Sequence, residues 1–236
     1  MLSFACSCSS QEKVSSKVFD EIAVTNGIEF IDPKLNQPRF GTGFLLKYNN
    51  DTFAVTAKHL LKIIKPAPMM ALSLDGFVKN WVLFPLDKKA DTITTQKLLN
   101  QNTGELLEDK AIYRNDWLVF SIRSNHSAVK PLQVRTTPLT PGEKLYVVGW
   151  TRKMESGKQR VYEFEYYKTI GQRILLKDII VPEQFGGLSG APVIDEEGAV
   201  VGIVSNSTQD PETGKKYFSP CTIDGLITFL QHTNHE

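Results

Sequence analysis

Along most of the chain, apolar residues fall in short runs, often alternating with polar ones, and turn-forming clusters break the runs. Alternation with period two marks a strand with one buried face. Gly43-Phe44-Leu45-Leu46-Lys47-Tyr48 and Thr52-Phe53-Ala54-Val55-Thr56-Ala57 are two such runs, joined by Asn49-Asn50-Asp51, a turn composition. A hairpin with Phe53, Val55 and Ala57 pointing inward is predicted. Further strands are predicted from Trp81 to Phe84, Trp117 to Ile122, Leu145 to Trp150, Val161 to Lys168, Ile174 to Ile180, Ala191 to Ile194 and Val200 to Ser205. Helical patterning is confined to one turn after His59, Thr95 to about Asn100, and Ile223 to His232. Many short strands with little helix predict an all-β barrel or sandwich. The proline-bearing stretch from Pro131 to Pro141 reads as a connection between halves. It divides the chain into β-barrels at about 25–130 and 138–236, the second carrying the terminal helix.

A chain of 236 residues is long enough for a sizeable core in one unit or in two small lobes. With 27 basic and 26 acidic residues it lacks the electrostatic footprint of a nucleic-acid or anionic-membrane binder, so no nucleic-acid partner is expected. Arg152, Lys153, Lys158 and Arg160 cluster locally, which a solvated hairpin tip accommodates as well as a partner does. No run approaches the roughly 20 apolar residues of a membrane helix. The cysteines are Cys6, Cys8 and Cys221, and they imply no disulfide framework. Residues 1–16 are polar and Ser-rich, and a disordered tail is expected there. Met1 to Ser10 resembles the end of a bacterial lipoprotein signal, in which a small residue precedes the lipidated cysteine. The stretch before Cys6 is too short for a complete signal. Lipidation at Cys6 implies membrane attachment in the cell envelope or periplasm; a cytoplasmic location is the alternative. No cofactor or metal is expected, since there is no His-Glu-x-x-His run and the only closely spaced cysteines lie in the tail.

Three segments carry chemistry. Hydrolysis by a serine needs a hydroxyl, a base to take its proton, an acid to fix the tautomer of the base, and amides aimed at the oxyanion. Val55-Thr56-Ala57-Lys58-His59-Leu60 places a histidine just beyond a predicted strand; His126 lies in a polar loop, and His232 and His235 lie near the C-terminus. Asn115-Asp116-Trp117-Leu118-Val119-Phe120-Ser121-Ile122 places an aspartate at the head of an apolar strand, with Trp117 and Val119 on one face and Leu118, Phe120 and Ile122 on the other. Asp109 and Asp91 are weaker alternatives, since neither heads an apolar strand. In Phe185-Gly186-Gly187-Leu188-Ser189-Gly190-Ala191-Pro192-Val193-Ile194, glycines flank a serine and permit a tight turn where amides converge. A Gly-x-Ser-x-Gly hydrolase elbow is excluded by Ala191 and by the absence of long alternating helices.

Together these segments resemble the trypsin-like serine peptidases, over roughly residues 40–230. Thr56-Ala57-Lys58-His59 is similar to the family's histidine stretch, the order His, Asp, Ser is the family's order, and the serine segment resembles the bacterial and viral branch. The resemblance implies a chymotrypsin-like fold of two six-stranded antiparallel β-barrels with a C-terminal helix. It implies a serine endopeptidase acting on protein or peptide substrates, with His59, Asp116 and Ser189 as its triad and the amides of Gly187 and Ser189 as its oxyanion hole. Ser205, Asn206 and Ser207 would bind the substrate backbone as an added strand, and Ser205 would support the Asp116 carboxylate. Glu183 stands where the family floors its primary specificity pocket, if the loop keeps its length; otherwise it is an exposed loop glutamate. Leu188 replaces the aspartate that animal enzymes pair with a new N-terminus, so that switch is not implied. Leu118 replaces the small residue usually found two places after the aspartate. The rival reading is an inactive module of the same fold that binds peptides or protein partners.

Overall fold

A computed structural model describes residues 15–108 and 110–233. Cys6, Cys8, Asp109, His235 and nearly all of the Ser-rich tail lie outside the described residues, and with them the lipidation expected at Cys6.

The N-terminal half runs through β1 (Ala23–Phe30), β2 (Gln37–Tyr48) and β3 (Asp51–Thr56), then a short helix α1 (His59–Ile64) and a small strand β4 (Ala71–Leu72). It continues with β5 (Val78–Phe84), β6 (Ile93–Leu98), β7 (Asn102–Leu106) and β8 (Leu118–Asn125). The second contains β9 (Lys144–Gly149), β10 (Arg160–Ile170), β11 (Arg173–Ile180), β12 (Pro192–Ile194), β13 (Val200–Gln209) and β14 (Lys216–Thr222), followed by α2 (Asp224–Thr233). Two closed six-stranded barrels result, in the orders β1-β2-β3-β8-β6-β5 and β9-β10-β11-β14-β13-β12, while β4 and β7 form a separate two-stranded sheet. Counted within each barrel, the strand order is the same: three in sequence, then the sixth, fifth and fourth. Closure removes the unpaired edges that an open sheet of these strands would expose.

The β2–β3 hairpin follows the predicted alternation. Tyr48 lies opposite Asp51, leaving a two-residue turn in which Asn49 takes φ of +52°, a conformation that asparagine tolerates better than most residues. The period-two pattern then sorts side chains between two cores. Leu45, Ala54, Leu118 and Phe120 join Trp81 and Leu83 inside the first barrel. Their neighbours Phe44, Leu46, Phe53, Val55, Trp117 and Val119 face the other way, into a cluster shared with Tyr146, Val148, Trp150, Ile194 and Ile203 of the second barrel. Phe53 and Val55 therefore point into the seam between the barrels rather than into a barrel interior. The same seam receives Leu226 and Leu230, one turn apart on α2, and the Phe229 ring lies 5.4 Å from that of Trp117. Gln159 of the second barrel also accepts the amides of Ile22 and Ala23 at 3.0 Å, which ties the start of β1 across the seam.

Of the helix expected from Thr95 to Asn100, Thr95 to Leu98 are instead part of β6, and Leu99 and Asn100 form the turn after it. Ile93, Thr95 and Leu98 are buried and β6 pairs with β5 and β8, so ladder bonds and core burial outweigh a weak local helical preference. Strands β1 and β14 carried no clear apolar alternation. The reason in β1 is Asn26, a fully buried polar residue whose side chain is satisfied by Phe40 O, Thr56 Oγ1 and the indole N–H of Trp81. In β14 it is Pro220, which cannot donate to a ladder.

Candidate active site

Antiparallel pairing of β3 with β8 sets Thr56 opposite Leu118. The end of one strand thus lies beside the start of the other, which brings His59, three residues beyond β3, against Asp116, two residues before β8. His59 is the first residue of α1, and its own amide donates to Asp116 Oδ1 at 2.8 Å. Its ring Nδ1 lies 2.7 Å from Asp116 Oδ2, and Nε2 lies 2.8 Å from Ser189 Oγ. Ser205 Oγ donates to Asp116 Oδ2. The order Asp116, His59, Ser189 is one continuous hydrogen-bonded relay across the seam.

Asp116 is fully buried. Burial opposes its ionisation, but the hydrogen bond and charge of His59, the Ser205 hydroxyl and the His59 amide outweigh it and hold the carboxyl below the usual aspartate range. A lowered folded-state pKa means that the ionised form favours folding. That stability is present above the ordinary aspartate value of about 3.9 and is lost as pH falls through the lower folded value. Asp116→Asn should lack this component, so its unfolding free energy should change less steeply than wild type between about pH 5 and pH 2. Parallel urea titrations check this; identical slopes would remove Asp116 as a contributor.

The Ser189 loop is fixed from the first barrel. The Thr42 amide donates to Ser189 O and Thr42 Oγ1 donates to Gly187 O, both at 2.8 Å. On the other side, Gly190 N donates to Val204 O at 2.9 Å and Arg152 N to Gly186 O at 2.6 Å. Two of the loop's glycines are required. Gly187 has φ of +101°, and a Cβ there would meet Arg152 N at 2.5 Å; Gly190 has φ of +86°, and a Cβ would meet Thr42 O at 2.2 Å. Gly190→Ala is expected to lose on the order of 3 kcal/mol of stability through strain and overlap with backbone that cannot yield. Denaturant unfolding measures this; a loss below about 1 kcal/mol would mean that the loop is less firmly held. Between these glycines, the amides of Gly187 and Ser189 donate to no acceptor among the described residues. Leu188 is fully buried in the core of the second barrel.

Two cavities meet at Ser189. One, of about 510 Å³, is lined by Ser205, Asn206 and Ser207, by Phe185 and Phe218, and by Asp178 and Lys216. The Phe185 and Phe218 rings lie 4.8 Å apart, and burial pushes the Asp178 carboxyl up against a smaller opposing pull from Lys215. The other, of about 500 Å³, runs past Gly187 between β2, α1 and Arg152. Glu183 lines neither: it is exposed, 3.5 Å from Lys153. Sequence reasoning missed Phe218 and Asp178, which reach the pocket only through the pairing of β11 with β14, where Leu176 lies opposite Phe218. No local motif marks them.

Comparison with known proteins adds to this geometry. A profile of the trypsin-like peptidase domain matches residues 41–203. Among solved structures, that of GrC is similar, with a TM-score of 0.61 at 17% identity over 91% of this chain and 94% of that one. Rv3671c of M. tuberculosis, solved in the inactive form of a serine-to-alanine mutant, gives 0.50 at 15% identity over 88% of this chain and 85% of that one. At such identities the likeness is one of fold. No curated protein sequence matches.

Proposed function

This chain belongs to the trypsin-like peptidase family, and from that premise we propose that it is a serine endopeptidase whose triad is His59, Asp116 and Ser189. The observation that carries the reading is the relay itself, with contacts of 2.7 Å and 2.8 Å on the two ring nitrogens of one imidazole. An imidazole whose Nδ1–H donates to a buried carboxylate presents a lone pair at Nε2, the arrangement a base needs to accept the serine proton.

In the proposed reaction His59 takes the proton of Ser189 as Oγ attacks the scissile carbonyl. The resulting oxyanion is held by the amides of Gly187 and Ser189, which are without acceptors among the described residues. The imidazolium, stabilised by Asp116, then gives its proton to the departing amine as the carbon–nitrogen bond breaks. Water, deprotonated by the same imidazole, hydrolyses the ester and returns Ser189 to its starting state. Ser205, Asn206 and Ser207, on β13 beyond its pairing with β12, pair with the substrate backbone on the acyl side.

A fluorophosphonate probe tests the reading, because it reacts only with an activated serine. Labelling of wild type should map by mass spectrometry to the peptide containing Ser189. A folded protein that binds peptides yet takes up no label is instead a binding module, and the proposal falls.

A further inference from the structure

The two cavities that meet at Ser189 differ in charge. The one beside Ser205 is lined by both an acidic and a basic residue, Asp178 and Lys216, whereas the one past Gly187 is lined by two arginines, Arg39 and Arg152, and by no Asp or Glu. We propose that the second cavity is a carboxylate-recognising subsite on the leaving-group side of Ser189, so that preferred substrates carry Asp or Glu within the first three residues after the scissile bond. The inference rests on the endopeptidase reading above.

Direction follows from that chemistry. The acyl half of the substrate stays bonded to Ser189 and lies along Ser205 to Ser207. The chain beyond the scissile bond must then cross the serine into the opposite cavity. There Arg152 is held beside the proposed oxyanion amide: its backbone N–H donates to Gly186 O at 2.6 Å, and the same nitrogen would lie 2.5 Å from any Cβ at position 187. Arg39 reaches across the seam to donate to the carbonyl of Met154, which orders its guanidinium but uses only part of a five-donor fork.

Neighbouring cations are already matched. Lys153 lies 3.5 Å from Glu183, and Lys62 and Lys65 lie 3.5 Å and 3.1 Å from Glu108. Arg152 is exposed, and its guanidinium has no ion-pair or hydrogen-bond partner among the described residues. An arginine fork matches a carboxylate with two parallel hydrogen bonds, so an incoming Asp or Glu meets one fork held by the Met154 carbonyl and a second that is unspent. A basic side chain in the same place meets two like charges and no acid. The basic cluster visible in the sequence thus divides: Lys153 is paired on the surface, while Arg152 lines the cleft.

The test uses a peptide that the full chain is found to cleave in a random library. It is resynthesised with Glu, Gln or Lys at each of the three positions after the scissile bond. Glu should exceed Gln in kcat/KM by about 10-fold at one position at least, with the gap narrowing as salt rises. Arg152→Gln should bring the Glu-to-Gln ratio close to one, and Arg152→Glu should favour Lys. Arg39→Gln provides a second, independent reduction of the ratio. Equal rates for Glu and Gln at all three positions, or a ratio unmoved by Arg152→Glu, would overturn the subsite while leaving the endopeptidase reading intact. Failure of wild type to cleave any peptide or to react with the serine probe would remove both.

Discussion

Ser189→Ala should lower turnover by about a million-fold with little change in stability, the scale of loss when the serine of an established triad hydrolase is removed. The two halves of this expectation have separate causes. The hydroxyl has one partner among the described residues, His59 Nε2 at 2.8 Å, so its loss removes the attacking atom and the proton that the imidazole is placed to accept. The loop itself is held by groups that alanine keeps: Ser189 O still accepts from Thr42 N, and Gly190 N still donates to Val204 O. The melting temperature should stay within a few degrees of wild type, since a partly exposed hydroxyl contributes little to stability. Steady-state kinetics on a cleaved library peptide, beside a thermal melt, checks both halves. Turnover within 10-fold of wild type in a folded variant would mean that another group attacks the substrate.

The second large effect is expected at Asp116. Asp116→Asn should leave the site nearly superimposable yet lower kcat by about 10⁴-fold, the scale seen when a triad aspartate is changed to its amide. Asp116 is fully buried and acts only as an acceptor: from the His59 amide at Oδ1, and from the His59 ring and Ser205 at Oδ2. Asparagine has one oxygen for these donors. If that oxygen keeps the backbone amide of His59, its NH₂ group faces Nδ1 and forces the imidazole into the tautomer protonated at Nε2. That tautomer cannot accept the proton of Ser189. The loss should fall on kcat with KM little changed, because Asp116 does not line either cavity at the serine. A decrease of less than about 10-fold would show that His59 is oriented by something other than this carboxylate.

Much of this site can be read from the chain because each residue of the proposed triad carries a local signal, a strand end for two and a glycine-flanked turn for the third. The unbroken apolar runs Phe53-Ala54-Val55 and Trp117-Leu118-Val119-Phe120 mark strands buried on both faces, and His59 and Asp116 stand just beyond their ends. The glycines around Ser189 mark a loop whose φ values of +101° and +86° few other residues adopt. What could not be read is of two kinds. Asn26 in β1 and Pro220 in β14 interrupt the apolar pattern because each is accommodated by distant partners, and Thr95 to Leu98 becomes strand because β5 and β8 are there to pair with it. For Glu183 the resemblance left two readings, a pocket floor or an exposed loop glutamate, and the side chain is exposed, 3.5 Å from Lys153.

By itself the sequence determined the strand-rich class, the glycine-flanked serine loop and the identities of the groups proposed as base and acid, since these depend on local periodicity and on the chemistry of single side chains. Tertiary structure alone decided that two stretches without a sequence repeat close into barrels of one strand order. It also decided that Phe218 and Asp178 share a pocket and that Arg39 and Arg152 face a common cleft. The reason is register: strand pairing fixes which residues stand opposite one another, and it is set by burial summed over a whole barrel, which no short stretch of sequence contains.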